Sequence, residues 1–542
     1  TRSARPTSAS TFPSSSPIRA APPVSRGAVA GGHPATAAAG AWALREGGNA
    51  VDAAIAAVLA SVVAESPLTG LGAGGFMLVH TPGGDATLLD FFVSAGGLDG
   101  RERGVELEPI EIDFGGTTQV FNVGPASCGV PGVPSGLAAA ADRFGSMPLA
   151  DLVVPAVRLA REGVEVTAQH DYLFEILAPI LAREPAGAAV YAPAGRILGL
   201  GERAVFAELA ETLERLGAEG PDPFYRGDIA AAIAATMVDR GGTLGAADLE
   251  AYETAVREPV RARFGGCEIL TNPPPSSGGV LIAYALELLT RAGGATDPVS
   301  VVTVMERAQA ARTREFLDGL YEDGFAARFL ADRLGSTTHI TALDDDGGCA
   351  SVTCSNGSGS GVFVPGTGIQ LNNMLGEQDL NPFGFHATGA GRRMPSMMAP
   401  TLALRDGELV LGLGSGGSNR IRSAITQTIL RYLRNRPRRA RPARGARPLG
   451  RPLAGAAPVL RRRPRGRRRS RPPRGRRRPA PWRRGRLRVK RLGAERVGAR
   501  EWRGERRDRP RGGRAPRRTR RGGAREPDRA AGAASRRRLR AR

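Results

Sequence analysis

Two short segments of this sequence combine residue types that suit acyl-transfer catalysis. In the first, residues 336–339 (Ser-Thr-Thr-His) place hydroxyl groups at the start of a stretch that alternates like a β-strand. In the second, residues 412–420 form a run of glycine and serine after a predicted strand. Such a turn can point consecutive backbone N–H groups at one atom, as a developing oxyanion requires. Together the segments suggest a hydroxyl nucleophile beside an oxyanion site.

Once other nucleophiles are set aside, a threonine remains as the candidate nucleophile. No Ser-His-Asp or Cys-His arrangement is evident, and the histidines lack metal-ligand spacing, so a structural role is preferred for each of them: His33, His80, His170, His339 and His386. A threonine hydroxyl needs a base, and the free α-amino group of the same residue, with a pKa near 8, can serve at neutral pH. This chemistry requires cleavage between Ser336 and Thr337. From the residues alone, β-propensity is the commoner explanation of a Thr-Thr pair.

Two helices are predicted at the start of the ordered region. One covers 34–46, and the next begins after Asn49, a suitable N-cap, with apolar residues at helical spacing. The glycine-rich segment 70–75 formally matches the dinucleotide pattern G-x-G-x-x-G. It follows a helix and opens a strand at 76–80, which is the reverse of the order that a pyrophosphate site needs. We therefore predict no nucleotide cofactor, and neither a metal nor another cofactor is indicated.

Helices and loops alternate over residues 130–330, and strands dominate afterwards. Helices are predicted over 152–162, 223–239 and 280–290, the last one after the proline-rich loop 273–279. Residues 337–343 and 349–353 form one predicted hairpin, and 401–404 and 408–413 form another. A last helix is predicted over 425–433. Helices first and hairpins later indicate an α+β layered fold.

The net charge of +24 conceals two different regions. Residues 431–542 contain 46 Lys and Arg but 6 Asp and Glu, a net of +40, which leaves −16 for residues 1–430. The tail is rich in Arg, Pro and Gly and is predicted to be disordered. A reading-frame shift in a GC-rich gene is the favoured hypothesis for its biased composition, and a basic arm for anionic surfaces is the alternative. Its two tryptophans, Trp482 and Trp502, do not support base stacking, so no specific nucleic-acid partner is predicted.

The remaining features say little about location. Residues 1–26 are rich in Ser, Pro and Ala and are predicted to be disordered without a recognisable signal peptide. The longest apolar stretch, 50–64, is too short to span a membrane and is predicted to be a buried helix. The cysteines, Cys128, Cys267, Cys349 and Cys354, are predicted to be buried free thiols. The compartment, cytoplasmic or exported, stays open.

Over residues 27–430 the sequence resembles the γ-glutamyltransferase (glutathione hydrolase) family of N-terminal nucleophile hydrolases. The motifs that carry the resemblance occur in family order: 47–54 (GGNAVDAA), 72–77 (GAGGFM), 130–134 (VPGVP), 224–227 (FYRG), 273–279 (PPPSSGG), 337–339 (TTH) and 414–421 (GSGGSNRI). The resemblance implies a zymogen that cleaves itself into a large subunit, 27–336, and a small subunit, 337–430. It also implies that the two chains interlock in an αββα four-layer sandwich. Because the family fold continues beyond residue 430, the small-subunit region is predicted to be truncated.

The same resemblance implies roles for particular residues. Thr337 attacks a γ-glutamyl amide and forms an acyl-enzyme, which water or an acceptor amine resolves. Ser355 supports the nucleophile, and backbone amides around Gly416 and Gly417 form the oxyanion hole. Glu377 holds the α-amino group of the substrate.

Substrate recognition is where the sequence departs from the family. Ser396 matches a hydroxyl near the substrate carboxylate, but Asn356 lies one position from the expected binding asparagine. The arginine that grips the α-carboxylate is replaced by Phe92, which cannot make a bidentate contact. The leading hypothesis is therefore a γ-glutamyl amide hydrolase or acyltransferase. The alternatives are an acylase on a cephalosporin-type side-chain amide and an inactive homologue with a basic interaction tail.

Overall fold

The computed structural model describes residues 27–100, 106–113, 118–322, 339–381, 384–417 and 420–434. These residues all lie in one compact unit of the chain, Thr1–Arg465. Ser336 and Thr337 lie outside the described residues, as do the predicted disordered segment 1–26 and residues 435–542 of the predicted disordered tail, 431–542. Among the described helices, none combines the length and apolar character needed to cross a bilayer.

Helices make up much of the described chain. They are α1 (Pro34–Arg45), α2 (Ala50–Ala64), α3 (Val133–Phe144), α4 (Leu149–Leu152), α5 (Val154–Glu162), α6 (Ala168–Leu181), α7 (Pro185–Tyr191), α8 (Ala207–Glu219), α9 (Asp222–Tyr225), α10 (Asp228–Arg240), α11 (Ala246–Glu250), α12 (Ser277–Arg291), α13 (Pro298–Ala310), α14 (Arg314–Gly319) and α15 (Arg420–Arg434). Short 3-10 helices cover Pro125–Ser127 and Met374–Gly376.

The strands are β1 (Ala28–Ala30), β2 (Gly74–His80), β3 (Ala86–Phe91), β4 (Glu108–Asp113), β5 (Thr118–Val123), β6 (Val164–Glu165), β7 (Arg203–Ala204), β8 (Ala255–Arg257), β9 (Val260–Phe264), β10 (Cys267–Thr271), β11 (Ile340–Leu343), β12 (Cys349–Ser355), β13 (Phe363–Val364), β14 (Ile369–Gln370), β15 (Thr401–Arg405) and β16 (Glu408–Leu413). One sheet has the order β1-β11-β12-β2-β3-β8, and a second has the order β16-β15-β10-β9.

Alternating side chains of these strands separate the molecule into four layers. Met77 and Val79 of β2 point into the core that contains α2, whereas Phe76 and Leu78 enter a core shared with the second sheet. From that second sheet, Leu402 faces the shared core and Ala403 faces the core that contains α12 and α15. Because strand side chains alternate, each sheet is apolar on both faces. The predicted αββα sandwich is therefore confirmed.

Local signals explain most element boundaries. Asn49 caps α2 and forms a capping box with Asp52, as its position in the sequence suggested. The hairpin of β15 and β16 turns at Asp406 and Gly407, which both have positive φ. The four cysteines are buried and free, which confirms that prediction.

Three predicted helices differ in extent from the observed ones. The segment predicted over 152–162 is split between α4 and α5, because Pro155 cannot supply an N–H to a continuous helix. The segment 223–239 is divided into α9 and α10. The final helix, α15, extends past residue 430 to Arg434. The first four residues of the predicted tail, 431–434, are therefore helical. Tyr432 in this segment packs against the core that contains α12 and donates a hydrogen bond to Val410 O at 2.5 Å.

Candidate active site

A cavity of about 290 Å³ brings together residues from distant parts of the sequence. We call it the first cavity. Ser355 at the end of β12, Glu377 after the second 3-10 helix, and Gly417 after β16 line it, together with Phe92 just after β3. One face of α6 closes another side with Leu173, Ile176 and Leu177. The strand ends place these side chains because both sheets end beside the cavity.

Ser355 is oriented by its own backbone turn. The residue is 8% exposed, and its Oγ accepts a hydrogen bond from the Gly357 N–H at 3.0 Å. The hydroxyl therefore has an acceptor lone pair occupied and retains its proton for donation toward the cavity. This geometry suits a hydroxyl that donates to a neighbouring nucleophile oxygen.

Glu377 is the titratable group whose environment is most altered in the first cavity. Burial raises the pKa of Glu377 to about 7, and nearby Asp379 acts in the same direction. Hydrogen bonds from Asn373 and the Ser358 backbone oppose the shift only in part. At neutral pH the side chain therefore exists both as a carboxylate and as a neutral acid. Perturbed carboxyl groups of this kind are typical of functional sites.

The wall at Phe92 is apolar, although charges lie close behind it. Phe92 is fully buried and stacks on Phe76 with a ring distance of 5.4 Å. The buried Asp90 pairs with Arg257 at 2.7 Å and with Arg393 at 3.6 Å. Arg393 also donates to the backbone oxygen of Phe92 at 2.5 Å. Both cations are engaged with Asp90, and Arg393 also holds the Phe92 backbone in place.

The glycine turn after β16 supplies part of the opposite wall. Gly417 has a φ of +110°, which favours glycine, and its oxygen accepts from the Arg420 N–H at 3.1 Å. Gly416 is exposed beside it, while residues 418 and 419 lie outside the described part of the chain. Arg420 is the cation among the described residues that line the cavity. The oxyanion role of Gly416 and Gly417 remains a prediction.

Two predicted binding residues lie near the first cavity without lining it. Ser396 is buried, and its Oγ accepts from the Met398 N–H at 3.0 Å, while the intervening Met397 lines the cavity. Asn356 instead lines a second cavity of about 350 Å³, which is bounded by α7, residues 205–209 and residues 368–370. Ser355 and Asn356 therefore face different cavities.

None of the described residues that line the first cavity is a histidine. His339, the nearest in sequence to Thr337, hydrogen bonds to Thr353 at 3.2 Å, Thr341 at 2.5 Å and Ser351 at 3.3 Å. Burial lowers the pKa of His339 to about 3, so its ring is neutral at physiological pH. The structural role that the sequence favoured for His339 agrees with these contacts.

Two asparagines that received no role in the sequence analysis organise the site. Asn372 donates to Gly72 O at 2.8 Å and to Gly129 O at 2.9 Å. Asn373 donates to Ser358 Oγ at 2.7 Å and accepts from the Ser358 N–H at 2.9 Å. Asn372 joins the region after residue 339 to the region before it, and Asn373 fixes the turn at Ser358. The only feature of the sequence that could have indicated their role is that two asparagines are adjacent between a strand and a turn. This feature is not specific, because asparagine is common in turns for reasons unrelated to function.

The apolar wall formed by α6 was also missed. Leu173, Ile176 and Leu177 have the i, i+3, i+4 spacing of any core-facing helix. No feature of this spacing distinguishes a cavity wall from a packed core.

Comparisons with known proteins agree with this architecture. Residues 36–326 and 321–441 match the family model described as gamma-glutamyltranspeptidase. The chain is 32% identical over 450 residues to the Acylase ACY 1 proenzyme of Pseudomonas sp. (strain SE83), covering 76% of this chain and 80% of that protein. It is 30% identical over 438 residues to the glutathione hydrolase proenzyme of Escherichia coli (strain K12), covering 71% and 74%.

A solved structure extends the same agreement to the fold. The cephalosporin acylase from Bacillus halodurans superposes with a TM-score of 0.63 at 25% identity, over 79% of this chain and 84% of that chain. Members of this family are two-subunit processed enzymes, hydrolases or transferases, that act on small amides. The match over most of the chain, together with the four layers, shows that this chain belongs to the gamma-glutamyltranspeptidase family.

Proposed function

We propose that this protein is a self-processing amide hydrolase with Thr337 as nucleophile, and that it prefers acyl groups without an α-carboxylate. The observation that carries the substrate preference is the fully buried Phe92 in the wall of the first cavity, which also holds Ser355 and Glu377. An unpaired carboxylate against this wall would lose its hydration without a compensating partner.

The strand register supports Thr337 as the nucleophile. Ile340 pairs with Val352 and Leu343 pairs with Cys349, so β11 and β12 pair in a regular antiparallel register. β11 begins three positions after Thr337 in the sequence, and its partner β12 ends at Ser355, whose hydroxyl can donate into the first cavity.

The proposed reaction then follows from ordinary acyl transfer. After cleavage between Ser336 and Thr337, the free α-amino group of Thr337 takes the hydroxyl proton as Oγ attacks the amide carbon. Backbone N–H groups around Gly416 and Gly417 stabilise the oxyanion, and the departing amine receives the proton. Water, activated by the same amino group, releases the acid and restores the hydroxyl. An acceptor amine in place of water gives transfer.

Cleavage of γ-glutamyl amides is the second candidate, and Glu377 favours it. Its carboxylate form could pair with the α-ammonium group of a γ-glutamyl substrate. The two relatives divide in the same way: the Pseudomonas protein is named an acylase and the Escherichia coli protein a glutathione hydrolase. The amino group and the carboxylate of the substrate therefore have to be tested separately.

Four p-nitroanilides make that separation: γ-glutamyl, 4-aminobutanoyl, glutaryl and butanoyl. They differ only in whether the α-carboxylate and the α-amino group are present. We expect kcat/KM for the 4-aminobutanoyl and butanoyl compounds to exceed that of their carboxylate-bearing counterparts by about tenfold, since an unpaired buried charge costs more than 1.4 kcal/mol. A γ-glutamyl compound hydrolysed best of all four would reject the proposed preference.

Intact mass under denaturing conditions tests the nucleophile independently. The expected products are chains of residues 1–336 and 337–542, the second with a free amino-terminal threonine. Thr337→Ala should remain one chain and hydrolyse none of the four anilides. Cleavage at another bond, or full activity of uncleaved protein, would exclude Thr337 in this role.

A further inference from the structure

The second cavity contains polar groups that the described protein does not satisfy. Both Nδ2 and Oδ1 of Asn356, Nε2 of Gln370 and Oγ1 of Thr69 lack a hydrogen-bond partner among the described residues. The three residues are 1%, 8% and 4% exposed. Buried polar groups in proteins nearly always have a partner, because leaving one unpaired costs about 1–3 kcal/mol. Three such side chains in one cavity indicate a built polar site.

Backbone hydrogen bonds hold residue 356 in this position. The backbone N–H of Asn356 donates to Leu68 O at 3.0 Å, and its backbone oxygen accepts from the Gly359 N–H at 3.1 Å. Tyr191, another cavity residue, already donates its hydroxyl to Ser66 Oγ at 2.9 Å. Because neither end of the Asn356 carboxamide has a partner among the described residues, its donor and acceptor are unsatisfied whichever way the amide is oriented.

Most of the other described residues that line the second cavity are apolar, and one of them, at its edge, is charged. Val190, Phe206, Phe363 and Ile369 line it. Glu208 also lines it, is exposed, and accepts from the Gly368 N–H at 3.2 Å. A carboxylate in this position disfavours anions, whereas the deep groups offer neutral donors and an acceptor. A volume of about 350 Å³ suits a small organic molecule.

We propose that the second cavity is a binding site for a small neutral molecule with a carboxamide or lactam group on an apolar body. The amide of the ligand pairs with the Asn356 carboxamide and with Gln370, and the apolar part lies against Phe206 and Phe363. The site is separate from the first cavity, although Ser355 and Asn356 are adjacent in the chain. It does not depend on which residue is the nucleophile.

Benzamide, acetophenone and benzoate test this site, because they share shape but differ in hydrogen bonding and charge. Acetophenone lacks the N–H donors, and benzoate is an anion. Binding to the processed protein is measured by ligand-observed NMR titration. We expect benzamide to bind at least about fivefold more tightly than either of the other two. Acetophenone leaves a buried acceptor unpaired, and the charge of benzoate is repelled by Glu208.

Two variants locate the bound probe. Gln370→Leu removes a donor at similar size. Gly70→Ala adds a methyl group whose nearest neighbours, Asn356 Nδ2 and Gly72 N, are 3.8 Å away, so it fills space without a clash. Both should weaken benzamide binding by about fivefold or more. Glu377→Gln in the first cavity and Ala231→Leu on the exposed face of α10 should change it by less than about twofold, since neither residue lines the second cavity.

Three results would overturn the proposal. Absence of saturable benzamide binding would mean that the three side chains bind water only. Equal binding of acetophenone would mean an apolar cleft without amide recognition. Loss of binding in Glu377→Gln, with Gln370→Leu unaffected, would place benzamide in the first cavity.

Discussion

At the scale of single residues, Glu377 and Phe92 define what the first cavity can accept. Glu377 offers a carboxyl group whose pKa of about 7 lets it change charge near neutral pH. Phe92 is an apolar residue that lines the cavity at the position where the resemblance predicts an arginine in the family. Together they predict that the first cavity recognises an amino group of the substrate but not its carboxylate.

Glu377 predicts a pH dependence that only amine-bearing substrates show. Burial raises its pKa, so the carboxylate that attracts an ammonium group is present above about pH 7 and is lost as the pH falls. The ratio of kcat/KM for 4-aminobutanoyl and butanoyl anilides should therefore rise about tenfold between pH 5.5 and 8.5. Titration of the Thr337 amine affects both substrates and cancels in the ratio. Glu377→Gln should make the ratio flat, and a flat ratio in the parent protein would contradict this role.

Phe92→Arg should restore recognition of the α-carboxylate. A charged hydrogen bond is worth about 1.5–3 kcal/mol, so the preference for γ-glutamyl over 4-aminobutanoyl anilide should increase by at least about tenfold. Phe92→Leu is the matched control, because it also loses the ring stacked on Phe76 but adds no charge. Thermal unfolding of both variants checks that each is folded. If Arg and Leu give the same preference, the carboxylate does not bind at position 92.

At the scale of elements, several hydrogen bonds to Asp52 hold the start of α2. The buried Asp52 carboxylate accepts from the Asn49 N–H at 2.8 Å, from the Ser146 hydroxyl at 2.5 Å and from the Met147 N–H at 3.2 Å. It therefore joins the first turn of α2 to the loop before α4. Every residue of α2 is buried.

Asp52→Asn should destabilise the protein by about 2–4 kcal/mol, because an amide places an N–H₂ group against donors that a carboxylate accepts. The control is Asp297→Asn at the exposed N-cap of α13, where the side chain also accepts from backbone N–H groups. That change should cost less than about 1 kcal/mol. Midpoints of thermal unfolding compare the two. Equal decreases in the unfolding midpoint would show that the buried hydrogen bonds of Asp52 stabilise the protein no more than an exposed helix cap does.

At the scale of the whole molecule, the order of the first sheet determines how the processed chains stay together. β11 and β12, which follow the proposed cleavage point, lie between β1 and β2, which precede it. Seven residue pairs join β12 to β2, from Cys349 with His80 to Ser355 with Gly74. Cleavage before β11 therefore leaves the central strands of the sheet paired.

We predict that the two chains of the processed protein co-elute in gel filtration under native conditions and separate only in denaturant. Separation would require breaking the centre of a sheet whose two faces are both buried. Uncleaved Thr337→Ala protein is the control for elution volume. Dissociation of the cleaved protein in plain buffer would contradict the interlocked arrangement.

Much of the fold was predictable because its signals are local. Helical spacing and the Asn49 cap located α1 and α2, and alternation with an Asp-Gly turn located the hairpin of β15 and β16. The αββα architecture, Ser355 and Glu377 came from the family resemblance. The limits of α4 and α5 were harder, because helical spacing continues across a break that Pro155 introduces.

The sequence by itself determined the layered class, the family and the candidate nucleophile, since caps, turns and motifs depend on neighbouring residues. Only the tertiary structure decided which side chains meet. It brought Phe92 to Ser355 and Glu377 across more than 260 residues, and it made one face of α6 a cavity wall. It also turned Asn356 away from Ser355 into the second cavity, because strand alternation ends at Ser355 and the following turn sets each side chain's direction.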